Sequence, residues 1–148
     1  MLNYCPQIIS IWKENAYNIS KERNMTLTNS TAQDQSAASV VAKAVLNDAH
    51  RLGLSQKDLS EVLGLSQGQI SKLKTGDATL TGKAFDIAVY LIRIFRSLDT
   101  ITGGDEQTNK AWMRNENTDL GMIPSQAIKS VAGLVDTMNY LDSARAPL

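Results

Sequence analysis

The stretch from Leu54 to Gly76, LSQKDLSEVLGLSQGQISKLKTG, constrains the fold more than any other part of the chain. Ser55 and Ser66 each stand where a side-chain oxygen can cap the start of a helix. Between them, Gly64 can adopt the left-handed conformation that ends one helix and redirects the chain. The spacing predicts two short helices joined by a tight turn, in which the first supports the second. The apolar residues that recur after the two caps are Leu59, Val62, Leu63, Ile70 and Leu73.

The polar residues outside the apolar faces of these two helices are of types that bind duplex DNA. No acidic residue occurs from Ser66 to Gly76. Glutamine can bond adenine bidentately and lysine can neutralise phosphate, so we expect two glutamines to meet bases and two lysines to meet phosphates. A helical hairpin that only packs is the alternative interpretation. The predicted DNA-binding residues are Gln56, Gln67, Gln69, Ser71, Lys72 and Lys74.

Composition narrows the ways in which such a helix can bind DNA. Fifteen basic and fifteen acidic residues cancel, so any affinity for nucleic acid has to come from a local patch. A homodimer or a hetero-oligomer with a partner would place two recognition helices about 34 Å apart. The single cysteine, Cys5, excludes an internal disulfide and fits a reducing cytoplasm. No apolar run approaches the roughly 20 residues that cross a bilayer.

The residues before this stretch divide into a polar segment and a helix. We expect residues 1–35 to be a flexible N-terminal segment, because TLTNSTAQDQS after Met25 buries little apolar surface. Met25 is a candidate physiological start, with the folded unit beginning near residue 34. The one histidine, His50, is predicted to be a solvated residue at a helix end and not a ligand. The residues predicted to form the apolar face of this helix are Val40, Val41, Ala44, Val45, Ala49 and Leu52.

A long apolar segment follows the two short helices. From Phe85 to Leu98 the apolar residues occupy nearly every direction around a helix, which predicts a central helix buried on most sides. Arg93 and Arg96 are its polar exceptions, and each is expected to reach solvent or to pair with Asp86 or Asp99.

Gly103 and Gly104 end the central helix and begin a C-terminal section. Pro124 is suited to the first turn of a further helix. The last helix is predicted to lay one stripe on the core, consisting of Val131, Leu134, Val135, Met138 and Leu141. The predicted fold is therefore all-α, with helix-turn-helix helices at 36–100 packed on the central helix and a small helical section at 101–148.

The helix-turn-helix stretch resembles the Xre (Cro/repressor-like) family. Gln56 opens the supporting helix, Gly64 lies in the turn, Gln67 opens the recognition helix and Ile70 is buried, as in that family. Ser60 departs from the pattern, which usually has alanine there. A serine is small enough to fit the same position.

The C-terminal section resembles the toxin-binding domain of Xre-type antitoxins, the MbcA/ParS/Xre group. The resemblance is carried by Ala111-Trp112, Asn117, Leu120-Gly121, Pro124, Gly133 and Tyr140-Leu141, with FRSLDTITGGD before them and RAPL at the end. The loop reads LGMIP where many members have a second glycine before Thr-Pro. Together the two resemblances cover residues 38–148, in the family's order.

The resemblance implies that the protein neutralises a RES-domain toxin that degrades NAD, with its tail obstructing the NAD site. Arg145 supplies a guanidinium on that tail, and a frayed, solvated terminus is the alternative. Trp112 is expected to be a core anchor. The predicted toxin-binding residues are Asn117, Tyr140, Arg145 and Leu148.

The residue set offers little to an enzyme. One histidine, one cysteine and no metal-ligand spacing leave no catalytic constellation, and we expect no cofactor and no metal. The near-motif GDATLTGKA has five residues between its glycines, whereas a phosphate-binding loop has four, and it lacks the final Ser or Thr. The main alternative to an antitoxin is a stand-alone transcriptional regulator whose C-terminal part dimerises. A RES-domain reading frame beside this gene favours the antitoxin.

Overall fold

The computed structural model of the protein describes residues 34–146. The expectations for residues 1–33, including Met25, and for Leu148 fall outside this range. The described chain is all-α, as predicted, and its only extended pairing is an isolated bridge between Asn117 and Met122. Its helices are α1 (34–51), α2 (Gln56–Leu63), α3 (Gln67–Thr75), α4 (Gly82–Ile101), α5 (Glu106–Arg114), α6 (Pro124–Ala127) and α7 (Val131–Arg145).

The two short helices of the helix-turn-helix begin and end as their sequence predicts. The Ser55 side chain accepts a hydrogen bond from the Asp58 backbone N–H, and the Asp58 carboxylate accepts one from the Ser55 backbone N–H. Ser66 caps α3 in the same reciprocal way with Gln69. Gly64 ends α2 at φ 65°, which a residue without a Cβ adopts at little cost. The predicted turn is confirmed.

The central helix is α4, which packs against α2, α5 and α7. The prediction that it is buried on most sides is wrong in part, because Val89, Tyr90 and Ile101 are each about two-fifths exposed, at 41%, 39% and 45%. Apolar periodicity shows which residues avoid water in general but not which face a neighbouring helix covers. The buried face consists of Ala88, Leu91, Ile94, Phe95, Ser97 and Leu98.

A polar network joins α1, α4 and α5 at the C-terminal end of α4. The Asp99 carboxylate accepts from Arg51 Nη2 at 3.0 Å and from Asn109 Nδ2 at 2.9 Å. Asn109 is fully buried and its Oδ1 accepts from the Thr102 hydroxyl at 2.7 Å. The Arg51 guanidinium also lies 4.6 Å from the centre of the Phe95 ring. Each polar group has a partner, which offsets the cost of removing it from water.

This network corrects the pairing expected for the arginines of α4. Asp99 pairs with Arg51 of α1, and Arg93 pairs with Asp142 of α7. The sequence suggested partners on the same helix because only local spacing is visible there. Arg96 forms no ion pair within residues 34–146, and its side chain is exposed.

The last helix packs on α4 through a stripe that differs from the prediction at three positions, which are Val131, Thr137 and Val135, the last being half-buried and outside the core cluster. Leu134, Met138 and Leu141 are buried as expected, whereas Val131 is 66% exposed at the start of the helix. Thr137 joins the buried stripe, because its hydroxyl donates to the Gly133 carbonyl at 2.7 Å and so needs no water. Val40 in α1 is likewise 63% exposed, against expectation. His50 is exposed near the end of α1, as predicted.

One lysine ties the C-terminal section to α2. Lys129, between α6 and α7, places its ammonium 2.8 Å from Asp58 Oδ1 and 2.8 Å from Glu61 Oε2. Hydrogen bonds from Lys129, and then from Ser55, lower the pKa of Asp58 to about 2. The same carboxylates raise the pKa of Lys129. Asp58 therefore serves two contacts, the cap of α2 and the link to α6 and α7.

Asp58 should make stability sensitive to acid. Its folded pKa lies below the ordinary value of 3.8, so the ionised form stabilises the fold above that value and the contribution is lost as pH falls toward about 2. We expect Asp58→Asn to cost about 1 kcal/mol near neutral pH and to lose most of that difference by pH 2. Urea unfolding of both proteins from pH 6 to pH 2 measures it. A difference that stays constant over this range would contradict the assignment.

Candidate functional site

The exposed face of α3 is the first candidate site. Ile70 and Leu73 are buried and fix the helix on its support. The opposite side is solvent-exposed and carries no acid over the length of α3. The five recognition residues predicted on α3 are all exposed, namely Gln67, Gln69, Ser71, Lys72 and Lys74. Gln67 and Gln69 lie about 160° apart around the helix, so this exposed surface covers more than one face of α3.

Gln56 connects α2 to this surface. Its Nε2 donates to the Gln67 carbonyl and to the Ser71 hydroxyl, both at 3.1 Å. Its Oε1 accepts from Lys74 Nζ at 2.9 Å. The amide thus fixes the angle between α2 and α3 and holds the Lys74 ammonium near the start of α2. This connecting role was not predicted from the sequence, where Gln56 appeared only as a DNA contact.

The other α3 side chains divide into one that caps the helix and two that project freely. Gln69 Oε1 accepts from the Ser66 backbone N–H at 2.8 Å, which leaves its Nε2 group as a donor. Within residues 34–146, the side chains of Gln67 and Lys72 make no hydrogen bond or ion pair. These two are available to a partner without breaking an internal contact.

The second candidate site is the loop between α5 and α6. Asn117 donates its backbone N–H to the Met122 carbonyl at 3.1 Å, which closes the loop. Its Oδ1 accepts from the backbone N–H groups of Asp119 and Leu120 at 2.9 and 3.0 Å. The asparagine oxygen thus replaces a backbone acceptor in the turn. Asn117 determines the shape of the loop.

Tyr140 of α7 supports the same loop from the other side. Its hydroxyl donates to Asp119 Oδ2 at 3.2 Å, and its ring stacks on Trp112 with centres 6.3 Å apart. Trp112 is half-buried against the core, which agrees with an anchor role. Arg145 lies apart from this cluster, about 7.5 Å further along α7 and about 140° around it. Leu148 is outside the described residues.

A small cleft beside this loop was not predicted. It measures about 200 Å³ and its walls include Leu120, Met122 and Ala127. At its floor α6 and α7 meet so closely that a Cβ on Gly133 would lie 2.2 Å from the Ala127 carbonyl oxygen. Met122 is exposed on its rim, at 47%. Two features of the sequence could have indicated this cleft, the apolar pair Met122-Ile123 before Pro124 and Gly133 within α7.

Comparison with protein families accounts for both regions. Residues 32–93 match the antitoxin Xre-like helix-turn-helix domain, and residues 97–146 match the antitoxin Xre/MbcA/ParS C-terminal toxin-binding domain. The chain belongs to the Xre-type antitoxins. Both resemblances predicted from the sequence are therefore confirmed. A comparison with individual curated proteins gives no match.

As an Xre-type antitoxin, the chain combines a DNA-binding module with a module for a cognate toxin, and neither domain is an enzyme family. Within residues 34–146, no group of three or more His, Cys, Asp or Glu side chains is placed to hold a metal ion. None of the helices in that range has the length and apolar character that a bilayer crossing requires. The surfaces of α3 and of the α5–α6 loop fall in the first and second matched domains respectively.

Proposed function

We propose that this protein is the antitoxin of a type II toxin-antitoxin system whose toxin is a RES-domain enzyme that degrades NAD. The observation that supports it is the succession of an antitoxin helix-turn-helix and a toxin-binding domain in one chain. The C-terminal section docks on the toxin through the loop held by Asn117 and Tyr140. The tail that begins at Arg145 then obstructs the NAD site.

The tail is chemically suited to this position. Arg145 lies in the last turn of α7 and its side chain is exposed. A pocket that receives a dinucleotide pyrophosphate is built for a bulky polar chain and presents hydrogen-bonding groups to it. A guanidinium is planar and offers five hydrogen-bond donors, so Arg145 can hold the tail against acceptor groups of the toxin beside that pocket.

The helix-turn-helix domain represses the operon that encodes the pair. Gln67 and Gln69 meet base edges in the major groove, and Lys72 and Lys74 meet phosphates. A homodimer, or a larger assembly with toxin, supplies the second recognition helix that a two-fold operator requires. We assign DNA binding to residues 36–100 and toxin binding to residues 101–148, and the protein acts in the cytoplasm.

Co-expression with the product of the adjacent gene tests this function. Cells that produce the adjacent protein alone should stop growing and lose NAD, and production of this chain should restore both. Purified toxin should also lose NAD hydrolysis when titrated with the antitoxin. If both proteins accumulate and NAD still falls, the antitoxin assignment fails and a stand-alone regulator becomes the better account.

A further inference from the structure

A cleft between α4 and the C-terminal end of α7 carries an unexplained concentration of positive charge. Its volume is about 490 Å³. Three arginines line the cleft, Arg93, Arg96 and Arg145. Its other lining residues include Val89, Ser97 and Thr100. We call this the arginine cleft. It is separate from α3, which packs on α2, and from the loop that Asn117 organises.

The charges of the arginine cleft are only partly balanced inside the protein. Arg93 pairs with Asp142, and the other oxygen of that carboxylate accepts from the Ser97 hydroxyl at 2.8 Å. Arg96 and Arg145 make no ion pair within residues 34–146, and no acid lines the cleft there. The lining holds three guanidinium groups and no acid, in a chain with a formal net charge of zero. Outside the lining, Asp142 pairs with Arg93, and the buried Asp48 is close enough to Arg96 to interact with its charge.

The chemistry of the lining selects an anion with several oxygens. Guanidinium groups bind carboxylates and phosphates through paired hydrogen bonds. The hydroxyls of Ser97 and Thr100 already donate to Asp142 and to the Arg96 carbonyl, so the guanidinium groups are the donors that remain for an anion. Arginine is also more weakly hydrated than lysine, which favours its use in protein interfaces. Val89, 41% exposed, adds an apolar contact beside the charges.

The exposure of the arginine cleft favours a protein over a small molecule. The Arg93 side chain is 57% exposed, and Arg96 and Arg145 are also exposed. Small-molecule sites bury roughly 70–90% of their ligand, whereas this open cleft would leave much of a ligand in water. A segment of a larger protein suits such a cleft better, because the rest of that protein can cover the side of the cleft that faces water. DNA is disfavoured because, on the proposed function, DNA binds α3, which packs on α2 and contributes no residue to the cleft.

We propose that the arginine cleft receives an acidic segment of the toxin. This inference rests on the proposed function and adds to it a second contact, apart from the tail and the α5–α6 loop. Ser97, Thr100 and Arg145 lie within the matched toxin-binding domain, residues 97–146, and Arg96 directly precedes it. The carboxylates of the segment pair with Arg96, while Arg93 stays with Asp142 and Arg145 serves the tail contact.

Charge reversal at Arg96 is the decisive test, because Arg145 also belongs to the proposed tail contact. Toxin binding of the full chain is measured for Arg96→Glu, for the conservative Arg96→Lys and for Lys43→Glu, an exposed lysine of α1 that serves as control. Like-charge contact costs several kcal/mol, so we expect Arg96→Glu to weaken binding about 100-fold and to flatten its salt dependence. Arg96→Lys keeps the charge but loses the paired hydrogen bonds, so it should bind more weakly than the wild type and more tightly than Arg96→Glu. Lys43→Glu should change the affinity little. Urea unfolding should show that all variants remain folded.

The outcomes separate this inference from the proposed function. If the wild-type antitoxin neutralises the toxin but Arg96→Glu binds as tightly and with the same salt dependence, the cleft proposal is overturned and the function stands. If Arg96→Glu weakens binding to DNA and not to toxin, the cleft serves nucleic acid and the proposal is also overturned. If the wild-type chain neutralises no toxin, both fall together.

Discussion

Replacing Gly133 with alanine should destabilise the protein by about 3 kcal/mol, the upper end of what overpacking a core usually costs. The added Cβ would lie 2.2 Å from the Ala127 carbonyl oxygen and 2.8 Å from its carbon. These are backbone atoms, so no side chain can rotate away. Ala127 is itself buried and belongs to the short helix that Pro124 begins. Relief requires α6 and α7 to separate, which opens the cleft beside the loop that Asn117 organises.

Gly68→Ala is the matched control for this change. Both glycines lie in the first turn of a helix, but a Cβ on Gly68 would have Ser66 Oγ as its nearest neighbour, at 3.9 Å. There the usual advantage of alanine in a helix should stabilise the protein by about 0.5 kcal/mol. Urea unfolding followed by circular dichroism measures both variants. Equal stabilities for Gly133→Ala and Gly68→Ala would show that α6 and α7 are not in close contact.

Replacing both Lys72 and Lys74 with alanine should weaken DNA binding by roughly one to two orders of magnitude. Each lysine is exposed on α3 and, on the proposed function, neutralises one phosphate. The slope of log affinity against log salt should therefore become shallower by about 0.9 for each phosphate that is no longer neutralised. Because phosphates carry no sequence information, binding to operator and to unrelated DNA should weaken by similar factors.

The control for the lysine pair is Lys43→Ala, which removes an exposed cation from α1. It should leave the salt slope unchanged. Lys74 also donates to Gln56, so thermal unfolding has to show that the double variant keeps its fold. An unaltered slope in a folded double variant would mean that α3 does not lie against the phosphate backbone.

The helix-turn-helix was predictable because its determinants are local. Ser55 with Asp58 and Ser66 with Gln69 are each three residues apart, so the capping boxes are visible in the sequence. Gly64 follows directly after the last residue of α2. The pattern of buried and polar residues then determines which face of α3 stays in water.

The contacts between distant segments were not predictable from one sequence. Arg51 and Asp99 are separated by 48 positions, and either could have had other partners by charge alone. The arginine cleft likewise exists only because the end of α7 returns to the middle of α4. The exposure of Val89 and Tyr90 depends on which side of α4 is covered by another helix. The periodicity of apolar residues along α4 does not give that information.

The predicted site residues also make internal contacts that the sequence did not reveal. Gln56, Asn117 and Tyr140 were selected for partners outside the protein, and the structure shows what each holds inside it. Gln56 joins two helices, while Asn117 and Tyr140 shape one loop. An internal contact does not exclude an external one, and the DNA and toxin roles stay predictions. Arg145 differs from Asn117 and Tyr140, because its side chain makes no hydrogen bond or ion pair within residues 34–146.

A single apolar cluster runs from Leu59 and Ile70 in the helix-turn-helix to Leu134 and Leu141 in α7. Within residues 34–146, neither the helix-turn-helix nor the C-terminal section has a hydrophobic core of its own. This part of the chain should therefore unfold in one cooperative transition. A cellular protease that unravels the last helix would uncover α4 and loosen the recognition helix in the same event. On the proposed function, degradation would then end operator binding and toxin inhibition together, and no fragment would keep one activity without the other.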